Sequence, residues 1–213
     1  MKRLAIIGAS RLGQMIAHYA GESGQFSVVG FYDNNISPGT QMRYGSVLGT
    51  TGELRRQYEA SDFDCVLIGV GYENWEWRQR FFEEFSDLEI PNLIHPSSYV
   101  NSSATLGRGV ILLPRCVVDM HCILEDNVFF NPGVILAHDS KIGAHCFLAP
   151  GVNISGFSSV GPRCFVGIGS SIVNDMDVCA DSTIGAGSVV IQSITKPGIY
   201  AGTPARLLRS PQL

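Results

Sequence analysis

The sequence has little charge and no long apolar segment, and each shortage excludes a class of protein. Charged residues make up 16% of the 213 residues, and the formal net charge is −4 without a basic block. Such a balance argues against nucleic acid or an anionic membrane surface as a partner. No apolar run reaches the roughly 18 residues that a membrane span needs. The short apolar run after Met1 leads into a glycine turn, which indicates a first β-strand rather than a signal peptide.

Cysteine is present without the spacing of a metal or redox site. The six cysteines form neither a CxxC motif nor a zinc-binding pattern. Four of them are separated by multiples of six residues, which indicates a packing role within a repeat: Cys116, Cys122, Cys146 and Cys164. We expect the protein to be cytoplasmic, where such thiols stay reduced.

A repeat of six residues runs from Val100 to Thr195. Its first position is apolar in all sixteen copies, and its fifth position is small or apolar throughout. A period of six fits neither an amphipathic helix nor an alternating strand, but it fits a solenoid of short strands and corners. Three sixes close one coil of eighteen residues, and coils stack about 4.8 Å apart like neighbouring strands. We predict a left-handed parallel β-helix over 96–213, with first positions inside and a proline-containing C-terminal cap.

The residues before the repeat follow another pattern. Apolar strand-like runs at 4–7, 26–32 and 65–69 alternate with helical segments, one of them over 75–85. Strands that alternate with helices predict a parallel sheet covered by helices. We therefore predict a small Rossmann-like domain over 1–95.

The turn from Gly8 to Gly13 is a partial dinucleotide-binding fingerprint. The full GxGxxG pattern is absent, but the glycine turn and the N-terminus of a helix over roughly 12–20 can still accept a phosphate. Asp33, at the end of the second strand, stands where a carboxylate can bind a ribose hydroxyl. The alternative is a tight structural turn followed by an ordinary strand-end aspartate. A redox role with NAD is disfavoured.

The repeat region contains a candidate for general base catalysis. His138 is followed directly by Asp139, and a neighbouring carboxylate can hold an imidazole in one tautomer and raise its basicity. One coil further on, Gly156 offers a bare backbone N–H for a developing oxyanion. The alternative is a surface histidine beside a surface aspartate.

A zinc site is the other interpretation of histidines on a β-helix. Carbonic-anhydrase-like enzymes of this fold have two ligands five residues apart and a third about two coils earlier. His138 and His145 are seven apart, and His121 lies seventeen before His138. The spacing argues against a metal site.

Taken together, the chain resembles the PglD/NeuD-like sugar acyltransferases over nearly its whole length. The resemblance lies in the IIGAS turn, the FYDN strand end, the IGVG strand end with Arg78 following, the NLIHPSSYV segment, AHDSKIG and the AGTPAR tail. It implies an acetyl-CoA-dependent N-acetyltransferase without a metal, which acts on a nucleotide-linked amino sugar for cell-surface glycan synthesis. It also implies a homotrimer with active sites between neighbouring β-helices. Outward apolar residues such as Phe129, Phe147, Phe157 and Phe165, difficult to leave in water, favour the same assembly.

The resemblance also assigns residues. His138 matches the general base, Asp139 its acidic support, and Gly156 the glycine whose amide faces the thioester carbonyl. Other assignments follow the same motifs. For acetyl-CoA they are Phe147, Ile168 and Ala186; for the nucleotide sugar they are Ser10, Arg11, Leu12, Asp33, Asn34, Gly71 and Asn131.

Two departures from the family pattern keep alternatives open. Arg11 and Leu12 replace a pair that usually includes a histidine near the nucleotide, and Phe147 replaces a histidine common nine residues after the base. Arg11 can instead pair with a phosphate. A sugar O-acetyltransferase and a catalytically silent sugar-nucleotide-binding protein remain the two alternatives, and the intact pair of His138 and Asp139 argues against the second.

Overall fold

The computed structural model describes residues 1–210, so the last three residues of the predicted second domain lie outside the described residues. The chain divides into two compact units, Met1–Leu93 and a second unit that begins at Ile94. The predicted fold class is confirmed: a small domain built on a parallel sheet is followed by a left-handed parallel β-helix. None of the helices in the described part of the chain has the length and apolarity that crossing a bilayer requires.

The first unit is a five-stranded sheet in the order β3-β4-β2-β1-β5, parallel except for the β3–β4 pair. Its central strands are the apolar runs that the sequence indicated, and they are buried among the helices. The elements are β1 (Lys2–Ile7), α1 (Arg11–Glu22), β2 (Phe26–Tyr32), β3 (Gln41–Met42), β4 (Gly45–Gly49), α2 (Thr51–Glu59), β5 (Cys65–Ile68), a 3₁₀ turn (Tyr72–Asn74) and α3 (Trp75–Glu84).

Four elements of this unit were not predicted from the sequence: β3, β4, α2 and the 3₁₀ turn. β3, β4 and α2 occupy the glycine-rich and polar stretch between β2 and β5. Helix α2 begins with a capping box: Thr50 and Glu53 satisfy each other's backbone N–H groups at its first turn. The helix crosses from β4 to β5 and completes the alternation of strands and helices.

Glycines in the first turn allow β1, α1 and β5 to approach closely. A Cβ atom built on Gly13 would stand 1.9 Å from the carbonyl oxygen of Gly8. One on Gly69 would stand 2.7 Å from the Cα of Gly13. Gly8 itself has φ +97°, a backbone conformation that residues other than glycine rarely adopt. The turn therefore has a structural reason for its glycines, whatever it binds.

The second unit stacks two-residue strands into three faces. Strand pairs join residues eighteen apart, such as Val117 with Ile135, which confirms the coil length. One face contains β7, β10, β13, β16, β19 and β22; the second contains β8, β11, β14, β17 and β20; the third contains β6, β9, β12, β15, β18 and β21, extended by β23 and β24. The strands are β6 (Leu93–Ile94), β7 (Tyr99–Val100), β8 (Thr105–Leu106), β9 (Ile111–Leu112), β10 (Val117–Val118), β11 (Ile123–Leu124), β12 (Phe129–Phe130), β13 (Ile135–Leu136), β14 (Lys141–Ile142), β15 (Phe147–Leu148), β16 (Asn153–Ile154), β17 (Ser159–Val160), β18 (Phe165–Val166), β19 (Ser171–Ile172), β20 (Asp177–Val178), β21 (Ser182–Ile184), β22 (Val189–Val190), β23 (Gly198–Ala201) and β24 (Arg206–Arg209).

The repeat positions have fixed structural roles. First and fifth positions form the interior of the prism, where Cys116, Cys122, Cys146 and Cys164 pack as reduced thiols. From residue 109 to residue 187, the fourth residue of each six-residue repeat has a positive φ. Five of these are glycine, and the other nine include His121, Asp139 and His145. This left-handed corner turns the chain from one face to the next.

One expectation about the outer surface is wrong. Phe129 is fully buried and Phe147 is nearly so, although both occupy outward positions. Their rings stack face to face with centroids 4.8 Å apart, and Phe165 continues the column at 6.0 Å. Four phenylalanines were expected to be buried by a neighbouring subunit, but only Phe157 is strongly exposed in the single chain, at 57%.

Candidate active site

His138 lies at the corner between β13 and β14, on the left-handed turn that every coil repeats. Its Nδ1 is 2.9 Å from Oδ2 of Asp139. The hydrogen bond with His138 is the main cause that lowers the pKa of the Asp139 carboxyl below its ordinary value. An ionised carboxylate can only accept, so a neutral His138 imidazole that donates to it has its proton on Nδ1 and a lone pair on Nε2.

A third side chain joins this pair from the coil before. His121 occupies the same corner position as Asp139, eighteen residues earlier, and its Nδ1 is 3.2 Å from Oδ1 of Asp139. The carboxylate thus contacts two imidazoles, one on each oxygen. This contact was not predicted, although the sequence contains its signal: residues 121 and 139 are eighteen apart and therefore stack on neighbouring coils.

Gly156 lies beside the His138 ring on the next coil. A Cβ atom built on Gly156 would stand 2.7 Å from Cε1 and 2.9 Å from Nε2 of His138, so only glycine leaves room for the ring in this position. Among residues 1–210, no protein acceptor takes the N–H of Gly156. Phe157 presents its ring edge-on to His138, with centroids 5.1 Å apart. A basic nitrogen, an available amide donor and an apolar wall therefore meet at one corner.

The residues assigned to acetyl-CoA lie elsewhere on the coils. Ile168 is exposed at a different corner, between β18 and β19. Ala186 is exposed at the same corner one coil later, between β21 and β22. At this corner Gly151, Gly169 and Gly187 have open space around the place of a side chain, which leaves a smooth edge. The carbonyl of Ile168 accepts the N–H of Gly187. Within one chain this edge is separated from His138 by a whole face of the prism.

Two other assigned residues are enclosed by the chain. Phe147 stacks between Phe129 and Phe165, so it offers little surface to a thioester. Asn131 is 7% exposed, and its amide donates to the carbonyl of Leu148 at 2.9 Å. Within one chain, neither side chain lies at the corner of His138.

The first unit contains a cavity of about 460 Å³ at the carboxyl ends of β1 and β2. Parallel sheets bind ligands at this edge. Four of the residues assigned to the nucleotide line the cavity: Ser10, Asp33, Asn34 and Gly71. Trp77 of α3, which the sequence analysis did not single out, lines it too and is 47% exposed.

Internal hydrogen bonds hold two of these lining residues. Asp33 accepts the N–H of Ala9 and the N–H of Asn35, both at 2.8 Å, one on each carboxylate oxygen. Asn34 accepts the N–H of Thr51 at 2.9 Å and so ties the end of β2 to the start of α2. Each carboxylate oxygen keeps a second lone pair for a ligand hydroxyl. These bonds orient the acceptors before a ligand arrives.

The other two residues assigned to the nucleotide lie outside that cavity. Arg11 lines a neighbouring, more open cavity with Arg43 and Tyr44, whereas Leu12 lines neither. Ser10 lines both cavities, so Arg11 lies next to the cavity of the assigned residues but does not line it. Among the described residues there is no cluster of three His, Cys, Asp or Glu side chains that could hold a metal ion.

Comparisons with known proteins match both units. A family model described as the PglD N-terminal domain matches residues 3–85, and one described as bacterial transferase hexapeptide (six repeats) matches residues 121–156. The fold and the repeat together define a hexapeptide-repeat acyltransferase. The N-terminal match adds to this assignment: the acyltransferase resembles the PglD-like sugar acyltransferases, as its motifs indicated.

Solved structures similar to this chain span almost its whole length. A variant of perosamine N-acetyltransferase from Caulobacter crescentus, in complex with CoA and GDP-perosamine, is 25% identical, with 97% of each chain covered and a TM-score of 0.90. The acetyltransferase domain of PglB from Neisseria gonorrhoeae is 29% identical, with 98% of this chain and 100% of that chain covered and a TM-score of 0.89. WeeI from Acinetobacter baumannii, at 20% identity and a TM-score of 0.85 over 98% of this chain and 100% of its own, shares the fold.

Proposed function

We propose that this enzyme transfers an acetyl group from acetyl-CoA to the amino group of a nucleotide-linked amino sugar. The observation that carries the proposal is the corner at which His138, oriented by Asp139, lies beside the unused N–H of Gly156. The comparisons support the substrates: one similar structure holds CoA and GDP-perosamine, and the PglB domain has been solved with acetyl coenzyme A.

The chemistry follows from the two free groups at the corner. The lone pair of the sugar amine attacks the thioester carbonyl carbon, and Nε2 of His138 takes a proton from the amine nitrogen. The carbonyl oxygen becomes an oxyanion, which the N–H of Gly156 stabilises. The carbon–sulfur bond then breaks, and the imidazolium returns its proton to the departing CoA thiolate.

Acyl transfer is direct in this proposal, without an acyl-enzyme. Cys122, whose thiol donates to the carbonyl of Ala137 next to His138, is buried. Burial raises the pKa of this thiol above its ordinary value, so a thiolate nucleophile is disfavoured.

The nucleotide belongs to the cavity of the first unit. Asp33 is positioned to accept a ribose hydroxyl, and the hydroxyl of Ser10 at the start of α1 is free to approach a phosphate oxygen. Trp77 offers a flat surface to the base. Because one similar structure holds GDP-perosamine, a GDP-linked sugar is one substrate to test, beside its UDP and dTDP counterparts.

The cellular setting extends the same proposal. An enzyme that uses acetyl-CoA and a nucleotide sugar works in the cytoplasm, and its product would enter cell-surface glycan synthesis. We expect a homotrimer with active sites between neighbouring β-helices, since Phe157 and Ile168 are each 57% exposed on the coils. Sedimentation equilibrium is expected to give three times the chain mass of 23.0 kDa, and a monomer at micromolar concentration would contradict this assembly.

The experiment that tests the function is release of free thiol from acetyl-CoA. The purified protein is offered UDP-, GDP- and dTDP-linked amino sugars, with the matching hydroxyl sugars as controls. Thiol release that depends on the amino group supports the proposal. Release with the hydroxyl sugars alone would make the protein an O-acetyltransferase, and no release with any acceptor would leave a binding protein.

A further inference from the structure

His121 and His138 both contact the carboxylate of Asp139, and this arrangement indicates a role for His121. The bonds run from Nδ1 of His138 to Oδ2 and from Nδ1 of His121 to Oδ1, at 2.9 and 3.2 Å. The carboxylate has no proton to give, so each imidazole donates through Nδ1–H. We propose that His121 is a positioning residue: it fixes the plane of the Asp139 carboxylate and thereby the tautomer and orientation of His138. The inference rests on the proposed function, in which His138 is the base.

The need for such a support follows from exposure. The side chain of Asp139 is 35% exposed and that of His138 is 42% exposed, so surrounding packing covers only part of each. A half-exposed carboxylate bound at one oxygen can rotate about its last torsion, which is broad. A second hydrogen bond on the other oxygen removes that rotation. The imidazole that depends on it then stays aimed at the space beside Gly156.

The backbone alone does not explain a histidine at position 121. Histidine is among the residues tolerated in the left-handed conformation, and His121 has φ 57°. His145 occupies the same repeat position, with φ 63°, at another corner, where its Nδ1 is 2.9 Å from the Asn127 amide. The two histidines share the corner conformation, but only His121 contacts Asp139. His145 is therefore the matched control.

The test compares four proteins by steady-state kinetics of thiol release: wild type, His121→Ala, His121→Asn and His145→Ala. Asparagine suits a left-handed corner, and its Nδ2 can replace the donor that His121 supplies. His121→Ala is expected to lower kcat about tenfold, with the KM for acetyl-CoA unchanged, because one hydrogen bond to a charged group is lost. His121→Asn is expected to recover most of the wild-type kcat, and His145→Ala is expected to match wild type.

Three outcomes would overturn the inference: a wild-type kcat in His121→Ala, an equal fall in His121→Ala and His121→Asn, or the same fall in His145→Ala. A second readout does not need turnover. The ¹⁵N spectrum of the His138 imidazole is expected to show the Nδ1–H tautomer in wild type and in His121→Asn, but a mixture in His121→Ala. A single Nδ1–H tautomer in His121→Ala would contradict the positioning role, whether or not the wild type releases thiol. Absence of thiol release from the wild type would instead contradict the proposed function.

Discussion

The imidazole of His138 lies so close to Gly156 of the next coil that the smallest side chain would collide with it. A Cβ atom at position 156 would stand 2.7 Å from Cε1 of the ring. The same glycine keeps its N–H free of protein acceptors among the described residues. The absence of a side chain thus has two effects: it makes room for the imidazole of His138, and it leaves an amide donor accessible beside that ring.

Replacement of Gly156 with alanine tests this relationship. The backbone conformation at 156 is one that alanine can adopt, so the new methyl group is expected to displace the His138 ring rather than unfold the coil. Small misplacements of a catalytic group cost about 10²-fold in rate, so we expect a fall in kcat of that order with little change in melting temperature. Gly21→Ala, in open space on α1, is the control and should keep full activity. An active Gly156→Ala would show that the ring and the glycine need not be in contact.

Loss of the imidazole itself should have a larger effect. His138→Ala removes the proton acceptor, and general base catalysis is typically worth about 10²–10⁴ in rate. We expect kcat to fall by that factor, whereas the KM for acetyl-CoA changes by no more than a few-fold, because backbone groups are expected to hold most of the cofactor. His145→Ala is again the control. If His138→Ala keeps more than about a third of the wild-type kcat, the base is another group.

Replacement of Asp139 separates its role from that of His138. The hydrogen bond with His138 lowers the pKa of Asp139, so its carboxylate remains a charged acceptor for the imidazole from mildly acidic to alkaline pH. Asp139→Asn removes that charged acceptor but keeps the imidazole, so we expect kcat to fall less than in His138→Ala. A fall as large as in His138→Ala, or no fall at all, would contradict this assignment.

Trp77 is expected to report nucleotide binding through its fluorescence. The chain has two tryptophans of nearly equal exposure, Trp75 at 46% and Trp77 at 47%, and only Trp77 lines the cavity. Stacking of a base on an aromatic ring is worth about 1–3 kcal/mol. Trp77→Ala should therefore raise the KM for the nucleotide sugar about tenfold, whereas Trp75→Ala should not.

Fluorescence titration with the nucleoside diphosphate completes this comparison. Quenching should persist in Trp75→Phe and disappear in Trp77→Phe. Quenching that survives in Trp77→Phe, or that disappears in Trp75→Phe, would place the base elsewhere.

The β-helix could be read from the sequence because its repeat position decides burial. First positions such as Leu136 and Ile154 are buried, and the same position is apolar in every copy of the repeat. The smaller domain was harder to read: β3 has only two residues, and α2 begins after a glycine-containing strand. The pair Thr50 and Glu53 was the available signal for α2, since their spacing is that of a capping box.

The candidate site was predictable in part, for the same geometric reason. His138 and Asp139 are neighbours in sequence, so their contact could be expected, and Gly156 is eighteen residues beyond His138. The contact of His121 with Asp139 follows from the same eighteen-residue spacing, but it was not predicted. The burial of Phe129 could not be anticipated, because an outward repeat position says nothing of what stacks against it.

The eighteen-residue coil has a consequence for how this chain can change in length. A deletion of six residues between His121 and Asp139 would keep His138, Asp139 and Gly156 together, yet it would place His121 one third of the way around the prism from Asp139. An added stretch of eighteen residues above Thr183 would merely make the prism taller. Insertions or deletions of whole turns are thus compatible with this architecture, whereas fractions of a turn separate side chains that contact each other across neighbouring coils.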